Sequence, residues 1–187
     1  MLFRSETFNR IISVDLTGAF LYARECGRHM LERGSGSVVN ICSILASGAN
    51  ENNVAGYAAA KGGLRNLTLQ LGVEWADRGV RVNSVSPGFV VTEMTGPMLE
   101  AMGMDRWIAS RTPMRRVGEA QEVTNAVMFL ASDMASYITG VDLLVDGGTN
   151  ACNGTFQMPP IHHEWNVDTP QVKGAYEPVQ PRPDWYQ

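Results

Sequence analysis

VRVNSVSPG (residues 80–88) alternates apolar and polar side chains and then ends in Pro-Gly. Alternation of this kind is typical of a β-strand, and the proline-glycine pair indicates a turn into a loop. A second β-branched run, SVVNICS (37–43), precedes it, and a helical segment over 56–78 lies between the two. A strand, a helix and a strand in this order predict a βαβ unit with a parallel sheet.

The rest of the chain extends this pattern of helices and strands. Apolar side chains recur at helical spacing over residues 6–32 and again over 120–131. DLLVDGG (142–148) is typical of a last strand, whereas the methionine-rich segment 89–118 is expected to be irregular. The order of elements therefore predicts an α/β fold with about three parallel strands and flanking helices.

Composition excludes several classes of partner. The chain has 187 residues, 44% hydrophobic and 18% charged, which is enough for one globular domain with a sizeable core. Its net charge is −4 and its basic residues are scattered, which argues against nucleic-acid and anionic-membrane partners. No apolar run approaches the length of a membrane span, and the N-terminus has no apolar signal core. We therefore predict a cytoplasmic protein with no nucleic-acid or membrane partner.

The composition changes from about residue 151 onward. Prolines share this segment with two tryptophans and two tyrosines, and prolines at this density rule out regular secondary structure. The composition favours a disordered or loosely draped tail, while the aromatic side chains favour an arm packed on the domain or on a partner subunit. We therefore divide the chain into a domain over 1–150 and an irregular C-terminal tail over 151–187.

The cysteines and histidines indicate no metal site. Cys26, Cys42 and Cys152 are odd in number and lack paired metal-ligand spacing. We interpret them as reduced and mostly buried thiols rather than as a disulfide framework. His162 and His163 are interpreted as a solvated pair, because no other ligands stand at suitable spacing.

YAAAKGGL (57–64) carries the residue pair with the most chemistry. Residues i and i+4 of a helix lie one above the other, so Tyr57 and Lys61 share a face. A phenol is a poor base at neutral pH, and a lysine ammonium one turn away favours the phenolate. The pair can then exchange a proton with an alcohol or an alkoxide. Tyrosine and lysine at this spacing are also common in ordinary helices, so the pair alone does not decide the function.

Neighbouring residues favour the chemical interpretation. Ser43 ends the strand before the tyrosine helix, at the carboxyl end where open α/β sheets bind ligands. Pro87-Gly88 ends the next strand, and its small backbone lets a flat ring approach closely. Thr92 follows four residues later and is placed to hold an amide-bearing ligand, whereas VDGG (145–148) is interpreted as a mainly structural turn.

Over about residues 6–150 the chain resembles the short-chain dehydrogenase/reductase family. The resemblance is carried, in chain order, by Ser43, Tyr57-x-x-x-Lys61, RVNSVSPGFVVTEM (81–94) and YITGVDLLVDGG (137–148). It implies a Rossmann-type doubly wound parallel sheet, here partial. It also implies hydride transfer between a nicotinamide cofactor, NAD or NADP, and a small-molecule alcohol or carbonyl.

The resemblance implies a role for each matching residue. Tyr57 would be the catalytic acid/base, and Lys61 would favour its phenolate. Both would contact the cofactor, Lys61 through the nicotinamide ribose hydroxyls, while Ser43 would polarise the substrate carbonyl. The residues that would line the nicotinamide are Pro87, Gly88, Val90 and Thr92. The Asn-rich loop over 48–53 borders the same site and favours a sugar or polyol as substrate.

One residue departs from the family's pattern. SVDLTGAF (13–20) resembles the family's stretch with a catalytic asparagine, but Asp15 stands at that position. The family's asparagine acts through its backbone carbonyl on a water that leads to the lysine, and Asp15 keeps a backbone carbonyl. Its carboxylate could instead pair with Lys61 or face solvent. We include Asp15 among the catalytic candidates with these alternatives open.

The family's glycine-rich phosphate-binding turn and its NAD- or NADP-selecting residue do not occur in this sequence. With one βα unit near 30 residues, roughly 90 to 100 residues of the family's first half are missing. We therefore expect a fragment of an oxidoreductase that binds a dinucleotide poorly by itself. The alternative is a non-catalytic remnant that keeps the family's association surface. The resemblance implies a homodimer or homotetramer through the helices over 6–32 and 56–78.

Overall fold

The computed structural model describes residues 4–49, 54–93, 95–101 and 104–152. In these residues, parallel strands alternate with helices along the chain. The strands, numbered along the chain, are β1 (Gly36–Ile41), β2 (Val80–Pro87), β3 (Val90–Val91), β4 (Gly118–Glu119) and β5 (Asp142–Val145). Within these residues, parallel pairing joins three strands in the order β1-β2-β5 and, separately, β3 with β4. The predicted α/β fold with about three parallel strands is confirmed.

Six α-helices lie within the described residues. They are α1 (Ser5–Ile12), α2 (Ala19–Arg33), α3 (Ala55–Glu74), α4 (Gly96–Ala101), α5 (Met104–Arg111) and α6 (Ala120–Ala131). The helix predicted over 120–131 matches α6. The helix predicted over 56–78 matches α3 only as far as Glu74, because a 3-10 turn over Ala76–Arg78 follows. Gly79, with a φ of 76°, then ends this turn in a conformation that favours glycine.

The helix predicted over 6–32 is interrupted. After α1, a π-helical segment over Ser13–Gly18 precedes the start of α2. The apolar spacing did not reveal this interruption, because a single wider turn hardly changes the periodic pattern. Single π-helical turns within α-helices are frequent at functional sites, and this one carries Asp15.

The segment 89–118 is not irregular, contrary to the prediction. It contains the short helices α4 and α5 and the two-residue strands β3 and β4. With six and eight residues, these helices have too few turns for a clear periodic pattern. Gly96-Pro97 starts α4, where the missing N–H of proline removes no helical hydrogen bond.

The central strand β2 is covered on both faces. Val80 and Val82 are fully buried and pack with Leu71 of α3. Val85, which points to the other face of the strand, packs with Leu130 of α6. Two-sided burial is typical of a parallel strand between layers of helices, and it leaves the ends of the strands as the accessible edge.

The three thiols are free and differ in exposure. Cys42 is buried and Cys152 half-buried, but Cys26 is exposed on α2, so the expectation of mostly buried thiols is wrong for Cys26. In the part of the chain that the structure describes, no helix is both long and apolar enough to cross a membrane. No group of three or more potential metal ligands is found in that part either. His162, His163 and the rest of the tail from residue 153 lie outside it.

Candidate active site

Helix α3 presents Tyr57 and Lys61 near the edge of the sheet where the strands end. Because α3 begins at Ala55, Tyr57 lies in its first turn and Lys61 one turn later. The Lys61 Nζ lies 5.6 Å from the centroid of the Tyr57 ring. Both residues are half-buried. The structure therefore brings the two candidate acid/base residues together.

The Lys61 ammonium is held at the carboxyl end of β1. Its Nζ donates a hydrogen bond to the Ile41 carbonyl oxygen over 3.0 Å and lies 4.0 Å from the Asp15 Oδ1. The Lys61 side chain is 13% exposed and that of Asp15 31%, so water screens this pair less than a surface pair. Of the alternatives that the sequence left open for Asp15, the structure shows the carboxylate paired with Lys61.

Ser43 is buried and lies two residues beyond the end of β1. Its Oγ accepts a hydrogen bond from the Leu45 N–H over 3.2 Å, which caps the 3-10 turn Ile44–Ala46. This turn packs on α3, since a Cβ added to Gly62 would lie 3.6 Å from the Ala46 oxygen. Ser43 and the Lys61 ammonium therefore both lie where β1 ends.

Pro87 ends β2, and Gly88 begins the loop beyond it. The Gly88 N–H donates to the Val145 oxygen over 3.0 Å, so this loop runs beside the end of β5. A Cβ added to Gly88 would lie 2.9 Å from the Cα and the Cβ of Asp146, which is closer than such atoms approach. The absence of a side chain at Gly88 is therefore explained by its contact with Asp146.

Val90 lies in β3, and Thr92 is exposed just before α4. Thr92 and Thr95 cap each other, because Thr95 N–H donates to the Thr92 Oγ1 over 3.1 Å and Thr92 N–H donates to the Thr95 Oγ1 over 2.9 Å. The Thr95 hydroxyl donates to the Val90 oxygen over 2.8 Å. Thr92 is therefore the donor in the 3.0 Å contact between the two hydroxyls. The second lone pair of the Thr92 Oγ1 can accept a further hydrogen bond.

Asp142, which the sequence reasoning missed, lies at the centre of a buried polar network. Its carboxylate accepts hydrogen bonds from the Ser84 and Ser86 hydroxyls over 2.7 and 2.8 Å and from the Arg65 Nε over 3.2 Å. Arg65 lies one turn after Lys61, so the network ties α3 to β2 and β5. The sequence feature that could have indicated this network is the pair Ser84-x-Ser86, which places two hydroxyls on one face of a strand.

A cavity of about 330 Å³ lies beside β5. Its lining includes Val90, Met114, Val145 and Gly148. None of the four catalytic candidates, Asp15, Ser43, Tyr57 and Lys61, contributes to that lining. The cavity is therefore separate from the candidate acid/base pair.

The fold and a match over most of the chain place the protein in a known family. A family model described as enoyl-(acyl carrier protein) reductase matches residues 2–150, and the chain belongs to the short-chain dehydrogenase/reductase family. The chain is 44% identical over 143 residues to galactitol 2-dehydrogenase (L-tagatose-forming) from Cereibacter sphaeroides. It is 38% identical over 146 residues to 5-keto-D-gluconate 5-reductase from Escherichia coli (strain K12).

These alignments cover 76% and 78% of this chain but only 56% and 57% of the two relatives. The chain therefore spans little more than half the length of the relatives it matches, as the absent glycine-rich turn predicted. A crystal structure of gluconate 5-dehydrogenase from Burkholderia cenocepacia J2315 in complex with NADP and tartrate superposes with a TM-score of 0.75. That match has 35% identity and covers 80% of this chain and 58% of the other, and it confirms the partial Rossmann-type fold.

Proposed function

We propose that this chain is the catalytic part of an NAD(P)-dependent oxidoreductase that interconverts an alcohol and a carbonyl. The observation that carries the proposal is the position of the Lys61 Nζ, 5.6 Å from the centroid of the Tyr57 ring and bonded to the end of β1. Open α/β sheets bind ligands at the carboxyl ends of their strands, where Ser43 also lies. Membership of the family and the names of its relatives support the same reaction.

In this proposal, the Tyr57 hydroxyl exchanges a proton with the substrate oxygen. Lys61 lies beside the Tyr57 ring, and a positioned phenol can exchange a proton with a bound alcohol or carbonyl oxygen. Ser43 accepts a hydrogen bond from Leu45 and has its own hydrogen to donate to the same substrate oxygen. The nicotinamide cofactor, when bound, supplies the hydride chemistry.

The residues present fit the nicotinamide half of such a cofactor. An ammonium has three N–H donors, and Lys61 uses one on the Ile41 oxygen, which leaves two that can reach ribose hydroxyls, since the Asp15 Oδ1 at 4.0 Å is too far for a hydrogen bond. The Thr92 Oγ1 has a lone pair that can accept from a carboxamide. We propose that the other residues lining the nicotinamide are Pro87, Gly88 and Val90. The residues of this sequence do not fit the pyrophosphate, because the glycine-rich turn is absent.

We propose a sugar, sugar acid or polyol as the substrate. The relatives are named as a galactitol dehydrogenase and a 5-keto-D-gluconate reductase, and a similar solved structure is a gluconate 5-dehydrogenase. The protein is then expected to oxidise or reduce one carbon of a polyhydroxylated substrate.

We also propose that two or four copies associate through α1, α2 and α3. Large apolar side chains are exposed on these helices and on the π-helical segment, namely Phe8, Val14, Phe20, Leu21, Tyr22 and Val73. Exposed apolar surface of this kind marks interaction sites. Sedimentation of the full chain is expected to show a dimer or larger species that Tyr22→Asp weakens. Met114→Asp, at an exposed position on another surface, is the control.

Titration of the full chain with NADPH, NADH and reduced nicotinamide mononucleotide, followed by nicotinamide fluorescence, tests the oxidoreductase proposal. We expect saturable binding that Lys61→Met abolishes and that Arg28→Met, an exposed substitution on α2, leaves unchanged. Because the pyrophosphate turn is absent, the dinucleotides should bind within about tenfold of the mononucleotide, a difference of about 1.4 kcal/mol. No saturable binding up to millimolar concentrations would defeat the proposal in favour of a non-catalytic module that only associates.

A further inference from the structure

A hydrogen bond between residues 103 positions apart joins two loops at the carboxyl edge of the sheet. The Asn150 Nδ2, after the end of β5, donates to the Ser47 Oγ over 2.8 Å. Ser47 directly follows the 3-10 turn that Ser43 caps. Gly48 lies against the same amide, since a Cβ added there would be 3.2 Å from the Asn150 Oδ1. The Asn150 side chain therefore occupies the space that the glycine leaves open.

Asp146 fixes the backbone that presents Asn150. Its Oδ2 accepts from the Asn150 N–H over 2.7 Å, and its Oδ1 accepts from the Gly148 N–H over 2.9 Å. The same residue contacts Gly88, where an added Cβ would lie 2.9 Å from the Asp146 Cα. The turn after β5 therefore contacts the loop after β2 directly and the loop after β1 through Asn150.

We propose that Asn150 is a positioning residue that holds the loop carrying Ser43, with Asp146 as its support. Ser43 caps a single 3-10 turn, and the bond from Ser47 to Asn150 fixes the far end of that turn. Fixing both ends keeps the Ser43 hydroxyl in place relative to the loops after β2 and β5. The contribution to catalysis rests on the proposed function, whereas the link between the two loops does not.

Hydrogen–deuterium exchange of the full chain tests the link itself. Asn150→Ala and Ser47→Ala should each speed exchange of the amides of residues 46–48 about threefold to tenfold, the effect of one lost hydrogen bond on an opening equilibrium. The double variant should add little to either single variant, because both remove the same bond. Unchanged exchange in Asn150→Ala, or effects that simply add, would overturn the proposal.

The chain offers a matched control for this experiment. Gln121 on α6 donates from its side-chain amide to the Asn125 Oδ1 over 2.9 Å, a bond of the same kind at an exposed site. Gln121→Ala should leave exchange over residues 46–48 unchanged. An equal acceleration in this variant would mean that exchange there reports global stability, and it would also overturn the proposal.

Steady-state kinetics test the consequence for catalysis. Asn150→Ala should lower kcat for an alcohol about tenfold or more, because misplacing a reacting group is costly. The Kd of the cofactor should not change, because Asn150 acts through Ser43. Inactivity of the unsubstituted chain would defeat the proposed function, and the exchange data would still decide the link. Faster exchange in an active variant with unchanged kcat would overturn the positioning role.

Discussion

Asp15 and Lys61 form an ion pair, with 4.0 Å between the Asp15 Oδ1 and the Lys61 Nζ. The same ammonium donates to the Ile41 oxygen over 3.0 Å, so it is held from both the π-helical segment and the end of β1. The resemblance predicts an asparagine at this position, so the carboxylate of Asp15 adds a charge to that pattern. Lys61 is thereby fixed beside Tyr57, and the strength of this pair can be measured.

We predict that Asp15→Asn lowers the free energy of unfolding by no more than about 1 kcal/mol, because a partly exposed ion pair contributes little. The loss should shrink in concentrated salt, which screens the charges. Urea unfolding at low and high ionic strength measures both effects, and Asp77→Asn in the exposed turn after α3 is the control. A loss of several kcal/mol that salt does not change would contradict an electrostatic role.

Substitution by alanine should have opposite effects on protein stability at two glycines of α3. A Cβ on Gly72 would lie 2.6 Å from the backbone nitrogen of Gly140 and 2.9 Å from the Val82 oxygen, so Gly72→Ala should cost about 1–3 kcal/mol. A Cβ on Gly62 meets nothing closer than 3.6 Å, so Gly62→Ala should stabilise the helix by about 0.5–1 kcal/mol. Urea unfolding measures the change in the free energy of unfolding for both variants. Equal changes would show that α3 does not pack on β2 as described.

The contribution of Glu122 to stability should be lost in acid. Bidentate hydrogen bonds from Arg116, with a further one from the Glu119 N–H, lower the pKa of Glu122 from 4.5 to about 2. A lowered pKa means that the carboxylate stabilises the fold above its unfolded pKa and loses this effect as pH falls. The Tm difference between the unsubstituted chain and Glu122→Gln should therefore be full above pH 4.5 and close as pH falls toward 2.

A matched comparison makes the Glu122 prediction specific. Glu6→Gln, at an exposed position in the first turn of α1, should show no comparable closing of the gap. A Tm difference for Glu122→Gln that stays constant with pH would contradict the ion pair with Arg116.

Cys42 and Cys26 should differ sharply in alkylation. Burial raises the pKa of the Cys42 thiol, whereas Cys26 is exposed on α2. Because the thiolate is the reactive species, iodoacetamide should label Cys26 in the folded protein and Cys42 only after unfolding. Mass spectrometry of peptides from protein labelled with and without urea shows which cysteine reacts in each state. Labelling of Cys42 as fast as Cys26 in the folded chain would contradict the burial of Cys42.

Local patterns were sufficient to predict the sheet and the proximity of Tyr57 and Lys61. Strand ends follow from alternation and turn residues, and the i, i+4 spacing of Tyr57 and Lys61 fixes a shared face in any helix. The ends of the strands then placed Ser43 at the same edge. These features depend on neighbours in the sequence, so they could be read without the structure.

Features that depend on distant partners could not be predicted. Asp142 accepts hydrogen bonds from Arg65, 77 positions away, and Asn150 bonds to Ser47, 103 positions away. Nothing in the local sequence marks such pairs before the strands are ordered. The π-helical segment around Asp15 was missed for a different reason, because the apolar spacing on either side of it remains helical.

Proton transfer by Tyr57 is tested most directly by the oxidation rates of galactitol and gluconate with NAD and NADP, followed by the absorbance of the reduced nicotinamide. We predict measurable oxidation by the full chain and a kcat lowered about 10²–10⁴-fold in Tyr57→Phe, the usual contribution of a general acid/base. Tyr137→Phe, at a fully exposed tyrosine, should retain the rate of the unsubstituted chain. Oxidation that Tyr57→Phe leaves unchanged, or no oxidation with either cofactor, would contradict this account.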